Sequence, residues 1–248
     1  MLHDTAALTG RLMKAIVRSP DTIITVAIMP IAFLLLFRYV FGGAIQTGGS
    51  NYTNYLLPGI LLIAVASSVA YTAVRLFSDT RTGITARFTA MPIARSSVLW
   101  SHVLTSLVSN AVTTVVIVGV SFATGFRPRA GLLGWLAFVG ILTLVTLALT
   151  WISVIPGLTA KSVDGAGAFA YPLIFLPFLS SAFVPTATMP GPVRWFAENQ
   201  PVTSVVQSLR DLIEGTPVGG DIWVALAWTV GVGMVAYVVA VRKYNTAR

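Results

Sequence analysis

The sequence predicts an all-helical fold embedded in a membrane, on three observations. Six apolar stretches recur along its 248 residues, each near the roughly 20 residues needed to cross a bilayer. Hydrophobic residues make up 56% of the chain and charged ones 10%, with a mean hydropathy of +0.84, where soluble domains carry about a quarter charged residues. A water-soluble core could not hide that much apolar surface. The net charge of +8 lies mainly between the apolar stretches, where positive-inside topology explains it without any nucleic acid. With no cysteine, disulfides, thiolate metal sites and thiol nucleophiles are excluded.

Residues Thr5 to Arg18 place Arg11, Lys14 and Arg18 on one helical face and Leu8, Leu12, Met13, Ile16 and Val17 on the other. Segment 1–21 therefore reads as an amphipathic helix lying in the interface of an anionic leaflet. The n-region of a signal peptide is the competing reading, but the apolar run that follows exceeds a typical h-region. Ser19 and Pro20 start the first span afresh, as a cap and a proline at the first helical position.

The six spans run Thr22 to Phe41, Leu57 to Phe77, Val98 to Phe122, Leu132 to Ile155, Gly167 to Phe183 and Ile222 to Val241. Six crossings in 22–241 leave 242–248 as a tail on the same side as the first helix. That side carries eleven of the 16 Lys and Arg residues and the other carries five, which makes both termini cytoplasmic. Trp135, Trp195 and Trp223 fall at the outer boundary and Trp100 and Trp151 at the inner one, as aromatic belts would have them. Arg38, near the outer end of the first span, can snorkel to headgroups. Pro30, Pro172 and Pro177 mark kinks within spans.

Between the fifth and sixth spans, prolines at 185, 190, 192 and 201 forbid one continuous helix. Val202, Val205, Val206, Leu209, Leu212 and Ile213 still form an apolar stripe, opened by Pro201 and closed by Gly215 and Pro217. A helix of about fourteen residues is too short to span, so it reads as re-entrant or interfacial on the outer side, or as a surface helix of an outer loop.

No catalytic constellation emerges. His3 and His102 lie far apart, HExxH, GxSxG and paired-acid patterns are missing, and Lys14, Lys161 and Lys243 all lack the glycine-rich run that cradles phosphates. Any ATP would be bound by another chain. The third span instead carries two polar lanes, Ser101, Thr105, Ser109 and Thr113 beside His102, Ser106, Asn110 and Thr114. Thr143, Thr146, Thr150 and Ser153 give the fourth span a weaker version. Such a strip fits helix packing, a subunit contact or the lining of a path for something amphipathic.

The loop between the second and third spans places Ile84, Phe88 and Met91 on one helical face beside Arg87, before Pro92 stops the helix. A loop this short cannot bury that face by itself. It must meet the membrane surface or the groove of a partner.

At this loop the chain resembles the membrane subunit of type-2 ABC transporters, and most of all the daunorubicin-resistance branch of exporter permeases. Asp79-Thr80-Arg81-Thr82-Gly83, Arg87-Phe88 and Met91-Pro92-Ile93-Ala94-Arg95 carry the resemblance. It extends to Tyr39-Val40-Phe41-Gly42-Gly43, to Tyr52 and Tyr55-Leu56-Leu57-Pro58-Gly59-Ile60, and to Met189-Pro190, Pro201-Val202-Thr203 and Leu209-Arg210. The resemblance implies that 1–248 is a single transmembrane domain of that family, with a cytoplasmic coupling helix that docks on an ATP-binding subunit and short outer re-entrant helices. Arg81, Gly83, Ile84, Arg87, Phe88, Met91 and Pro92 would then face the ATPase, while His102, Ser106, Asn110, Thr114 and Thr146 are candidates for the path. It further implies a second permease half, identical or related, and two ATPase subunits that hold ATP and magnesium. The function so implied is export of an amphipathic or hydrophobic substrate across the cell membrane, by a chain that is not itself an enzyme. A permease for a lipid-linked glycan or glycolipid, or a membrane scaffold or receptor subunit that moves nothing, are the alternatives. Gln200 stands between Asn199 and Pro201, which leaves open which of the two caps the outer helix.

Overall fold

A computed structural model describes residues 2–17, 20–43, 45, 51–82 and 95–246. All regular structure among them is helical. Helix α1 (Leu2–Val17) is followed by α2 (Pro20–Leu36), which continues into a π-helical turn over Phe37–Phe41. Then come α3 (Tyr52–Arg81), α4 (Arg95–Ala123) and α5 (Leu132–Thr159). Two short helices, α6 (Val163–Ala168) and α7 (Ala170–Phe175), lead into a 3-10 turn at Leu176–Leu179. The chain closes with α8 (Gly191–Asn199), α9 (Pro201–Glu214) and α10 (Asp221–Thr246).

Helices α3, α4, α5 and α10 are long and apolar enough to cross a membrane, with mean hydropathies of 1.9 to 2.4. The first predicted span is one continuous helical stretch whose apolar part, Val26–Phe41, is shorter. The fifth predicted span, Gly167 to Phe183, is not one helix. It breaks at Phe169, tightens to 3-10 geometry at Leu176 and ends at Ser180, because Pro172 and Pro177 cannot donate the hydrogen bonds a continuous helix needs.

Helix α3 is the centre. It packs against α2, α4, α5, α6, α7 and α9, and α10 lies outside it against α5 and α9. The larger core gathers Leu56, Leu57, Ile60 and Leu61 of α3 with Phe126, Phe138, Val206 and Leu209. A second core, toward the Arg81 end, joins Leu76, Leu99, Val103, Trp151, Val154 and Ala240. There Trp151 meets Trp100 and Tyr237 edge-on, at 5.2 and 4.7 Å between ring centres. With 3% exposure, Trp151 is a core residue and not a belt residue, whereas Trp195 and Trp223 are 68% and 73% exposed. Arg38 differs from expectation too: its Nε donates to the Thr124 carbonyl at 3.2 Å, satisfying the end of α4. Helix α1 packs on α4 and buries Leu12, so part of the apolar face expected to meet lipid meets protein.

The stripe predicted for α9 is borne out: Val205, Val206, Leu209, Leu212 and Ile213 are buried and Val202 is partly so. Gly215 ends the helix in the left-handed region at φ 70°, and the Thr216 amide reaches back to the Asp211 carbonyl at 3.0 Å.

Gly59 lets the chain after Ser180 lie on α3, since a Cβ there would stand 2.6 Å from Ala182 Cβ and 3.2 Å from the Phe183 ring. Gly59→Val is expected to destabilise by about 1–3 kcal/mol, the usual cost of overpacking, and to lower the melting temperature in detergent. Gly119, with open space around it, is the control, and Gly119→Ala should melt like the parent.

Candidate functional site

The polar lanes of α4 face into the bundle. Asn110 donates from its amide to Ser68 Oγ of α3 at 3.0 Å and to its own helix at the Ser106 carbonyl at 2.9 Å. Ser106 Oγ meets Thr150 Oγ1 of α5 at 3.2 Å. One connected set of hydroxyls and one amide therefore joins α3, α4 and α5. Thr146 is buried one turn from Thr150, accepts that hydroxyl on its carbonyl at 2.6 Å and donates its own to Leu142 at 2.7 Å. Thr114 is half-buried, and His102 turns away to the Arg81 end of the bundle. The structure thus brings Ser106 and Asn110 together and sets Thr146 beside their partner, with His102 apart. Ser68 was not foreseen as the α3 partner, since a lone serine in an apolar helix carries no pattern.

At the Tyr52 end, polar residues of α3 hold the turn between α4 and α5. Asn54 exchanges two hydrogen bonds with the Arg127 backbone, at 2.9 and 3.0 Å, and Thr53 Oγ1 donates to the Thr124 carbonyl at 3.2 Å. Asn51 caps α3 by accepting from the Thr53 amide at 3.0 Å.

Arg210 of α9 is the residue whose role sequence reasoning missed. The residue is 5% exposed, and its guanidinium lies 3.6 Å from the Tyr55 ring centre and donates to the Ser181 and Tyr55 carbonyls at 2.8 and 3.3 Å. A cation inside the apolar stripe of α9 was the available signal, because only a partnered arginine is tolerated there. Gln200 takes the N-cap position of α9 by its backbone, but neither candidate side chain caps the helix. The Gln200 amide donates to the Leu176 and Leu179 carbonyls, and the Asn199 amide donates to Trp195. On exposed α8, the Arg194 guanidinium hydrogen-bonds Glu198 at 2.7 Å and holds its carboxyl below the ordinary range.

Of the residues expected at an ATPase interface, Arg81 is exposed at the end of α3 with its guanidinium 5.3 Å from the Phe77 ring centre. Gly83, Ile84, Arg87, Phe88, Met91 and Pro92 lie outside the described residues. Just before them, Asp79 Oδ2 is 3.0 Å from an Arg11 guanidinium nitrogen and 3.4 Å from His102 Nε2. An apolar cavity of about 120 Å³ lies between α3, α5, α9, α10 and the 173–177 turn, with Leu62, Val145, Pro177, Val202 and Trp228 among its walls.

Four long apolar helices joined by buried polar contacts define a multi-pass membrane protein. Residues 3–213 match the ABC-2 type transporter family, and the chain belongs to it. It is the membrane permease subunit of an ABC exporter, a role that implies an ATP-binding partner. The chain is 29% identical over 239 residues to the daunorubicin resistance ABC transporter permease protein DrrB1 of Streptomyces coeruleorubidus, covering 95% of this chain and 83% of that one. It is 28% identical over 241 residues to the probable doxorubicin resistance ABC transporter permease protein DrrC of Mycobacterium tuberculosis, covering 96% and 87%. A putative transport permease, ycf38, of Porphyra purpurea is 25% identical over 222 residues, covering 87% and 76%.

Two outcomes follow from this geometry. Arg210→Met strips the Ser181 and Tyr55 carbonyls of a charged donor, and is expected to cost at least about 2 kcal/mol in thermal unfolding, with Arg210→Lys recovering only part because one ammonium cannot both fork and stack. Asn110→Leu is expected to cost about 0.6–2 kcal/mol, the range for hydrogen bonds between membrane helices. Side-by-side melting curves check both.

Proposed function

We propose that this chain is one half of an ATP-driven exporter for an amphipathic or hydrophobic substrate, drug-like or lipid, and that it provides the translocation path. The observation that carries this reading is the match along nearly the whole chain to permeases named for daunorubicin and doxorubicin resistance. The largely apolar cavity beside α10 supports it, since such walls suit hydrocarbon and disfavour a fully polar solute.

In this reading the bundle crosses the cell membrane six times, with α1 at the cytoplasmic interface, 242–248 as a cytoplasmic tail and α8 and α9 re-entrant on the outer side. Two copies of the chain, or this chain and a relative, pair with two ATPase subunits, which hold ATP and magnesium and do the hydrolysis. Membrane lipid surrounds the pair, and nucleic acid has no part. Arg81, Gly83, Ile84, Arg87, Phe88, Met91 and Pro92 meet the ATPase through a coupling helix. His102, Ser106, Asn110, Thr114 and Thr146 are the residues assigned to the path. Secondary transport fits less well, because the spans hold almost no acids to bind a coupling ion.

The test is gentle purification from the native membrane, followed by an assay for a bound ATPase. Wild type is expected to bring one along and Phe88→Asp to lose it while still inserting in the membrane, because a carboxylate cannot sit in the apolar groove that Phe88 would fill. Equal ATPase recovery with both proteins would defeat the coupling-helix assignment, and recovery with neither would remove the ATP-driven reading.

A further inference from the structure

Where α1, α3 and α4 meet, the carboxylate of Asp79 stands, among the described residues, near three basic side chains. Asp79 lies in the last turn of α3, and its Oδ2 accepts from Arg11 of α1 at 3.0 Å while standing 3.4 Å from His102 Nε2 of α4. Arg75, one turn back on α3, is close enough to be attracted by the same charge. The Asp79 side chain is 16% exposed and that of His102 only 2%, so water screens this cluster less than it would a surface pair. A single oxygen thus ties the first helix to the two helices that flank segment 83–94.

The placement is unlike that of the Asn110 cluster, which joins the same α3 and α4 by neutral hydrogen bonds in mid-bundle. Charge is expensive to hold at a helix junction unless partnered, and removing one member leaves the others uncompensated. At this end of α3 the apolar packing comes from Leu76, a member of the second core, and Phe77 is buried beside it.

We infer that Asp79 is a positioning residue for transport, which makes α1 and the adjoining ends of α3 and α4 move as one body when segment 83–94 is pushed. The inference rests on the reading of that segment as the ATPase-docking helix. Without the carboxylate the ATPase still docks, but its movement is lost locally and does not reach the far end of the bundle.

The chain has no cysteine, so one placed by Trp195→Cys on exposed α8 reports on the far end without background. Its maleimide labelling rate is measured on the complex purified with its ATPase, with and without ATP and vanadate. In the Trp195→Cys parent, nucleotide is expected to change the rate at least about fivefold, the lower range of coupling between distant sites. Adding Asp79→Asn, which keeps size and an acceptor, should shrink the change to under about twofold with bound ATPase and yield unchanged. Asp79→Glu should restore it. A full nucleotide response in Asp79→Asn overturns the inference, as does loss of the ATPase from that variant, which would make Asp79 part of the docking surface or the fold. A parent that binds no ATPase, or shows no nucleotide response, overturns the transport reading underneath and the inference with it.

Discussion

The burial of helix α3 is the constraint around which the other helices are arranged. Of its most apolar stretch of 18 residues, 72% are buried, against 17% for α10 at the periphery. A helix that is apolar all round can be stable at the centre of a bundle or in lipid alone. What fixes α3 at the centre is its scattered polar side chains, because Asn54, Ser68 and Asp79 each need a partner on a different neighbour. They are spread over its length, so α1, α4 and the α4–α5 turn are each held at one depth along it.

The same requirement explains where irregular backbone is allowed. From Phe169 to Val184 the chain leaves ideal helical geometry several times, which lipid-exposed backbone could not do without unpaired carbonyls. Here the carbonyls of Leu176, Leu179 and Ser181 receive donors from Gln200 and Arg210, while Ser180 turns its hydroxyl onto Pro177 at 2.7 Å. The broken helix and α9 are therefore complementary halves of one unit. Arg210 interrupts an otherwise apolar stripe because α9 has to satisfy backbone as well as bury carbon.

Much of this was legible in the sequence, and the exceptions share a cause. Length and hydropathy located α3, α4, α5 and α10 to within a few residues, and the 3.6-residue period gave α9 its buried face, because both are local properties. The burial of Trp151, the capping role of Arg38 and the pairing of Asp79 with His102 are contacts between residues far apart in the chain. A single sequence records the two partners but not their meeting. The fifth span departs from expectation differently: its apolar content fits a crossing, but its backbone is a series of short helices rather than one, because of Pro172 and Pro177. For the site, the lane on α4 was found by spacing. Its partner Ser68 and the Arg210 cluster were not, because each depends on which helix lies opposite.

The π turn at Phe37–Phe41 has a consequence for how the first helix pair can rearrange. Its wider winding holds one residue more per turn than the α form, and stacks Phe37 on Phe183 with ring centres 4.7 Å apart while Arg38 reaches Thr124. Tightening the turn to α geometry would rotate what lies beyond it by roughly 100°, one residue's share of a turn, and shift it by roughly 1.5 Å along the axis. The end of α2 is in effect a screw thread with one extra notch, able to release both contacts by a twist and a short advance together.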